Sequence, residues 1–203
     1  MFVPTLRRAA AWFIDFALVV TLASALAVLT FHRITALVTD VPDLAAHGGL
    51  DLLTSQGDMV GASEKLGLSL WDSAVLDVEE AFGVLIAATF LYQWGCLAFA
   101  GRTLGKGLLG LKVTPSAPRR AAVRAAVTTA ADVAVYAVAC VLLVEGYFVV
   151  SVLVWALAVL VFLLNALPVL SPARRSFADR VAGTEVTGLA IGTPVTMPPV
   201  RTF

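Results

Sequence analysis

Asp15 and Asp132 are carboxylates set inside apolar runs, "AAAWFIDFALVV" and "AAVTTAADVAVYAVAC". Placing an aspartate at the centre of a membrane helix costs about 2.5–3.5 kcal/mol on insertion scales. Two kinds of chemistry justify such a residue. It can hold a proton or a cation on a transport path. It can instead hydrogen-bond a neighbouring helix and fix a bundle. A desolvated, unpaired carboxylate takes up protons near neutral pH, whereas a paired one stays ionised. Arg8 lies seven residues before Asp15. On a helix that is about two turns, one face and roughly 10 Å along the axis. Arg8 reaches the headgroups by snorkelling, and meets Asp15 directly only by folding down the helix.

Gln93 and Asn165 are the amides in the other two apolar runs. Counted from one end of each run at about 1.5 Å per residue, Asp15, Asp132 and Gln93 fall roughly 9–11 Å deep, with Asn165 shallower. Polar groups in hydrocarbon must find partners or water. The spacing therefore predicts one inward-facing polar layer. Asp15 is expected to face Asp132, Gln93 or Asn165, with Arg8 or Arg124 capping the cluster.

Four apolar runs must position these residues: about 9–29, 81–100, 125–144 and 148–167. Each meets the roughly 20 residues a membrane helix needs. The chain of 203 residues is 60% hydrophobic and 14% charged, against about 25% charged in soluble domains. The expected fold class is an all-α membrane protein of four transmembrane helices with a short cytoplasmic β-pair. "EGY" joins the last two helices, and Pro168 and Pro172 are expected to stop the fourth.

Twelve Lys and Arg residues lie on one side of these spans and only Arg33 and Lys65 on the other. The positive-inside rule makes the basic side, with both termini, cytoplasmic. The segment 30–80 is then external, and its nine acidic residues suit a solvated loop more than a ligand-facing lid. Within it, "SLWDSAVLDVEEAFG" predicts a helix that runs on into the second span. Asp15 and the length of the first run argue against a cleaved signal peptide.

"GRTLGKGLLGLKVT" invites a phosphate-loop reading and fails it. Gly101 and Gly105 are one residue too close, and Lys106 is followed by Gly107 rather than Ser or Thr. Gly101, Gly105 and Gly110 instead permit sharp turns or close approach to the second helix. Leu104, Leu108, Leu109 and Leu111 suit an interfacial helix with Lys106 among the headgroups. "GLKVT" and "GTEVTG" are short β-branched segments that each lack a partner, so they are expected to pair.

Trp12, Tyr92, Trp94, Tyr147 and Trp155 read as interface belt or core. Cys96 and Cys140 read as free, buried thiols. Neither a nucleophile triad nor a zinc-ligand pattern is present, so neither enzyme activity nor a metal or cofactor is expected. No basic tail points to nucleic acid. "RRAAVR" reads as a topology anchor that can also meet anionic lipid headgroups.

Three blocks, "RRAAAWFID", "GRTLGKGLLGLKVT" and "RRSFADRVAGTEVTG", occur in this order around the spans. Together they resemble the RDD family of bacterial membrane proteins, named for one arginine and two aspartates. The resemblance places the arginine on Arg8 and the aspartates on Asp15 and Asp179. Ala178 stands where members often have a histidine, so any role of that histidine is absent here. It implies residues 1–190 as the membrane domain, with 191–203 as a flexible cytoplasmic tail. It also implies a multi-pass protein of the bacterial cytoplasmic membrane. Transport of an unidentified ligand and ion–proton exchange have been proposed within the family. The first functional expectation is therefore transport of an ion or small solute. The rival is a non-transporting scaffold or assembly partner. A chain this small would transport as a homo-oligomer or with a membrane partner protein.

Overall fold

In hydrocarbon a backbone must satisfy its own N–H and C=O groups, and the helix does so within one segment. The computed structural model describes residues 5–39, 59–114, 117–170 and 176–188, and it is mostly helical. In chain order it has α1 (Thr5–Thr39), α2 (Met59–Ala100), α3 (Leu104–Leu108), β1 (Leu111–Thr114) and α4 (Pro118–Thr129). A π-helical turn (Ala130–Ala134) follows, then α5 (Val135–Val144), α6 (Phe148–Leu170), α7 (Phe177–Ala182) and β2 (Glu185–Gly188).

Three helical stretches are long and apolar enough to cross a bilayer: Leu6–Thr39, Pro118–Val144 and Phe148–Leu167. The expected second span, 81–100, is the C-terminal part of α2 and is not among those three. The preceding "SLWDSAVLDVEE" does lead into it as one continuous helix of 42 residues. α1 likewise continues past Leu29 to Thr39. The two extensions meet where Arg33 Nη1 lies 2.7 Å from Glu80 and 3.5 Å from Asp77. Such exposed pairs add little stability. The rest of the acidic segment, 40–58, and the tail 191–203 lie outside the described residues, as does Pro172.

Glu145–Tyr147 makes the expected tight turn between α5 and α6, with Gly146 at φ +85°. Ser151 on α6 then donates to the Ala139 carbonyl on α5 at 2.7 Å, a helix-to-helix bond. Pro168 does not stop α6, which runs on to Leu170. A proline removes one N–H donor, but the residues after it can keep helical dihedrals. Trp12 and Phe16 stack at 5.2 Å and both pack on Phe162, which joins α1 to α6.

The two short strands pair antiparallel as expected, with Val113 opposite Val186 and Thr114 opposite Glu185. Alternation decides their faces. Leu111 and Val113 turn inward against Ala11, Leu97 and Ala121, while Lys112 and Thr114 face out. The pair thus lies across the end of the bundle that carries Arg7 and Arg8. Arg7 Nη2 donates to the Leu109 carbonyl at 2.5 Å, and Arg8 Nη2 to the Val186 carbonyl at 2.8 Å.

Candidate functional site

Asp15 points at the loop that follows α2. Its carboxylate accepts from Tyr92 Oη at 3.2 Å, from Thr103 Oγ1, and from the Gly105 amide at 2.9 Å. Lys106 Nζ lies 3.7 Å away. Tyr92 Oη in turn accepts from the Leu104 amide at 3.1 Å. Asp15 and Tyr92 therefore satisfy two of the N–H groups that α3 cannot satisfy itself. Gly105 makes this approach possible. A Cβ there would overlap the Ala11 carbonyl oxygen and come within 3.0 Å of the Asp15 side chain. The close approach is thus to the first helix, not the second as expected. Gly101 (φ +65°) and Gly110 (φ +63°) make the turns on either side.

Lys106 does not turn outward from this short helix. It turns inward to Asp15 and donates to Thr103 Oγ1 at 3.2 Å. Burial pushes its ammonium down to about 8, Arg124 adds to the shift, and Asp15 and Asp132 oppose it. Leu104 and Leu108 remain outward, as an interfacial helix requires, whereas Leu111 belongs to the buried strand.

Asp179 forms a second knot. It caps α7 reciprocally with Ser176: the Asp179 amide donates to Ser176 Oγ at 3.1 Å, and the Ser176 amide to Asp179 Oδ2 at 3.3 Å. Asp179 Oδ1 accepts from Arg124 Nη1 and from Thr184 Oγ1 at 3.1 Å. Arg124 and Asp179 are only 6% and 3% exposed, so each charge depends on the other.

Asp132 lies in the π-helical turn and is half-buried. It accepts from Asn165 Nδ2 at 3.3 Å. Asn165 Oδ1 accepts from the Ala178 amide at 3.4 Å, so Asn165 links α7 to Asp132. Between the knots lies a cavity of about 80 Å³ whose walls include Arg8, Lys106, Arg124, Asn165, Ser176 and Asp179. Among the described residues, no group of three His, Cys, Asp or Glu side chains could share a metal ion.

The single polar layer predicted from depth thus divides into separate clusters. Asp132 and Asn165 do meet. Asp15 meets neither, nor Gln93; its hydrogen-bond and ion-pair partners are Tyr92, Thr103, Gly105 and Lys106, and Arg124 lies near enough to feel its charge. Neighbours on a helix point about 100° apart, so when Tyr92 faces Asp15 the half-buried Gln93 cannot. Ser176, Thr184, Thr103 and Tyr92 are site residues that sequence reasoning missed. Only "SFAD", a Ser three residues before an acid, carried a visible capping signal. Cys96 and Cys140 are unbridged and half-buried rather than fully buried.

A bundle of long apolar helices with Asp15, Lys106, Arg124 and Asp179 gathered toward one end points to a multi-pass membrane protein. Residues 2–183 match the family model described as RDD family, and the chain belongs to that family. The long segment between α1 and α2 lies inside that match. No curated protein and no solved structure matches the chain.

Proposed function

We propose that this protein moves an ion or small solute across the membrane, with Asp132 rather than Asp15 as the working carboxylate. One observation carries the reading: Asn165 lines the cavity and hydrogen-bonds Asp132, in a helix broken by a π-turn. π-turns occur frequently at functional sites. Asp132 is half-buried with Asn165 as its hydrogen-bond partner and Lys106 near enough to feel its charge, so it can change its protonation or its ligand without dismantling the fold. Asp15 and Asp179 each hold three or more polar groups, which suits a structural role.

The same reading has 81–100 as a fourth span and both termini in the cytoplasm of a bacterial cell. It includes assembly as an oligomer, because one short bundle offers little room for a path. The rival reading, a non-transporting scaffold, draws support from the saturation of Asp15 and Asp179. Ion flux in proteoliposomes separates them. Transport predicts flux in the wild type, its loss in Asp132→Asn, and a folded variant by circular dichroism. A wild type without flux for any tested cation, anion or proton gradient leaves the scaffold reading.

A further inference from the structure

Two short helices at the basic end share one design. α3 turns Gly105 and Lys106 inward to α1, and α7 buries Ala178, Asp179 and Ala182. Each exposes an apolar pair four residues apart: Leu104 with Leu108, and Phe177 with Val181. Residues at that spacing share a helix face. An exposed arginine lies beside each pair. Arg102 runs along α3, where a Cβ on Gly107 would touch its Cδ at 3.7 Å, and Arg180 precedes Val181. The start of α4 adds the exposed Arg119 and Arg120, and Arg120 Nη1 donates to the Gly183 carbonyl just after α7 at 3.3 Å.

The charges inside this end are already matched. Lys106 pairs with Asp15, Arg124 pairs with Asp179, and Arg8 donates to the Val186 carbonyl. On the outer face of the strand pair, Lys112 and Glu185 are diagonal neighbours of opposite charge. Glu185 is the only exposed carboxylate at this end among the described residues. Arg102, Arg119, Arg120 and Arg180 are different. Among the described residues, no carboxylate pairs with any of them.

Unpaired guanidinium groups suit phosphate, and apolar side chains favour leaving water. The boundary between lipid headgroups and acyl chains offers both at once. Leu6 and Phe99, at this end of α1 and α2, also point outward. The apolar sides of α3 and α7 thus run on from the face that the long helices show to lipid. An acidic protein would match the arginines but not that continuity. We infer that the outer sides of α3 and α7, with the start of α4, bind anionic phospholipid headgroups. The apolar pairs sit among the upper acyl chains, and the four arginines meet lipid phosphates. The "RRAAVR" run supplies only its first two arginines, because Arg124 turns inward; Arg102 and Arg180 come from distant parts of the chain. The inference rests neither on transport nor on which way the protein lies in the membrane.

The test uses the purified full chain in a neutral detergent, titrated with phosphatidylglycerol or with phosphatidylcholine of the same acyl chains. Lipid that binds only the folded state raises the unfolding temperature. The wild type should show a saturable rise at a lower concentration of phosphatidylglycerol than of phosphatidylcholine. Salt at about 1 M should remove the difference. Arg102→Gln, Arg119→Gln and Arg180→Gln should each raise the half-saturating phosphatidylglycerol concentration about fivefold, with wild-type helicity by circular dichroism. Their response to phosphatidylcholine should not change. Lys112→Gln should alter neither response. Equal half-saturation by the two lipids in the wild type overturns the inference and leaves an acidic protein as the partner of this face. Folded arginine variants that match the wild type also overturn it. So does a shift in Lys112→Gln as large as that in Arg180→Gln, which marks a general attraction to the basic end.

Discussion

Gly105 sits where a side chain has no room, against the Ala11 carbonyl and the Asp15 carboxylate. Overpacking of this kind costs about 1–3 kcal/mol. Gly105→Ala should therefore lower thermal stability in detergent by that amount, despite alanine's better helix propensity. At Gly107 a Cβ would only touch Arg102 at 3.7 Å, so Gly107→Ala should stay within about 0.5 kcal/mol of the wild type. Arg124 and Asp179 give the opposite case, a buried pair whose members need each other. Arg124→Met should cost about 3–5 kcal/mol by stranding Asp179, and a double-mutant cycle with Asp179→Ala should show strong coupling. Lys106 makes stability depend on pH. It titrates at about 8 in the folded protein against an ordinary 10.5, with Asp15, Arg124 and Asp132 facing it. The unfolded chain then keeps the proton to higher pH, so stability should rise between about pH 8 and pH 10.5. Unfolding temperatures of the wild type and Lys106→Met across that window check the sign, because the variant should lack this rise.

At the scale of elements, α3 and the two strands form a unit that none of them could form alone. α3 spans five residues, far fewer than an isolated helix needs. It persists because Asp15 and Tyr92 take its first amides. The strands persist because they pair and because Leu111, 1% exposed, anchors them on Ala11. Leu111→Ala should cost about 2–5 kcal/mol, and hydrogen exchange at the β2 amides should quicken before exchange in α5 or α6. Three of the four expected spans, readable as apolar runs, fall in helices long and apolar enough to cross a bilayer, and the pair was readable from two β-branched segments without partners. The π-turn was not. No residue type marks it, since it arises when a helix takes an extra residue per turn under tertiary pressure.

For the whole molecule, most of the described basic residues, Arg33 and Lys65 apart, cluster at the end that holds the cavity and the strands. If that end is cytoplasmic, single cysteines near Ser116 should resist impermeant reagents added outside intact cells, and those near Ser55 should react. The reverse pattern would turn the protein over in the membrane. The same organisation ranks the aspartates. Asp15→Leu removes the ligand of α3 and should lower the folded yield more than Asp51→Leu, which lies in the segment between α1 and α2.

Membrane residence, the helical runs and the family were written in the sequence, because hydropathy and charge segregation are one-dimensional signals set by the solvent a segment must enter. Partner choice was not. Asp15 and Asp132 were expected at similar depths, yet one was claimed by a loop and the other by Asn165. That outcome depends on helix rotation and on Gly105 letting a loop come close to α1. Such contacts join residues about 90 positions apart, and no local pattern records them.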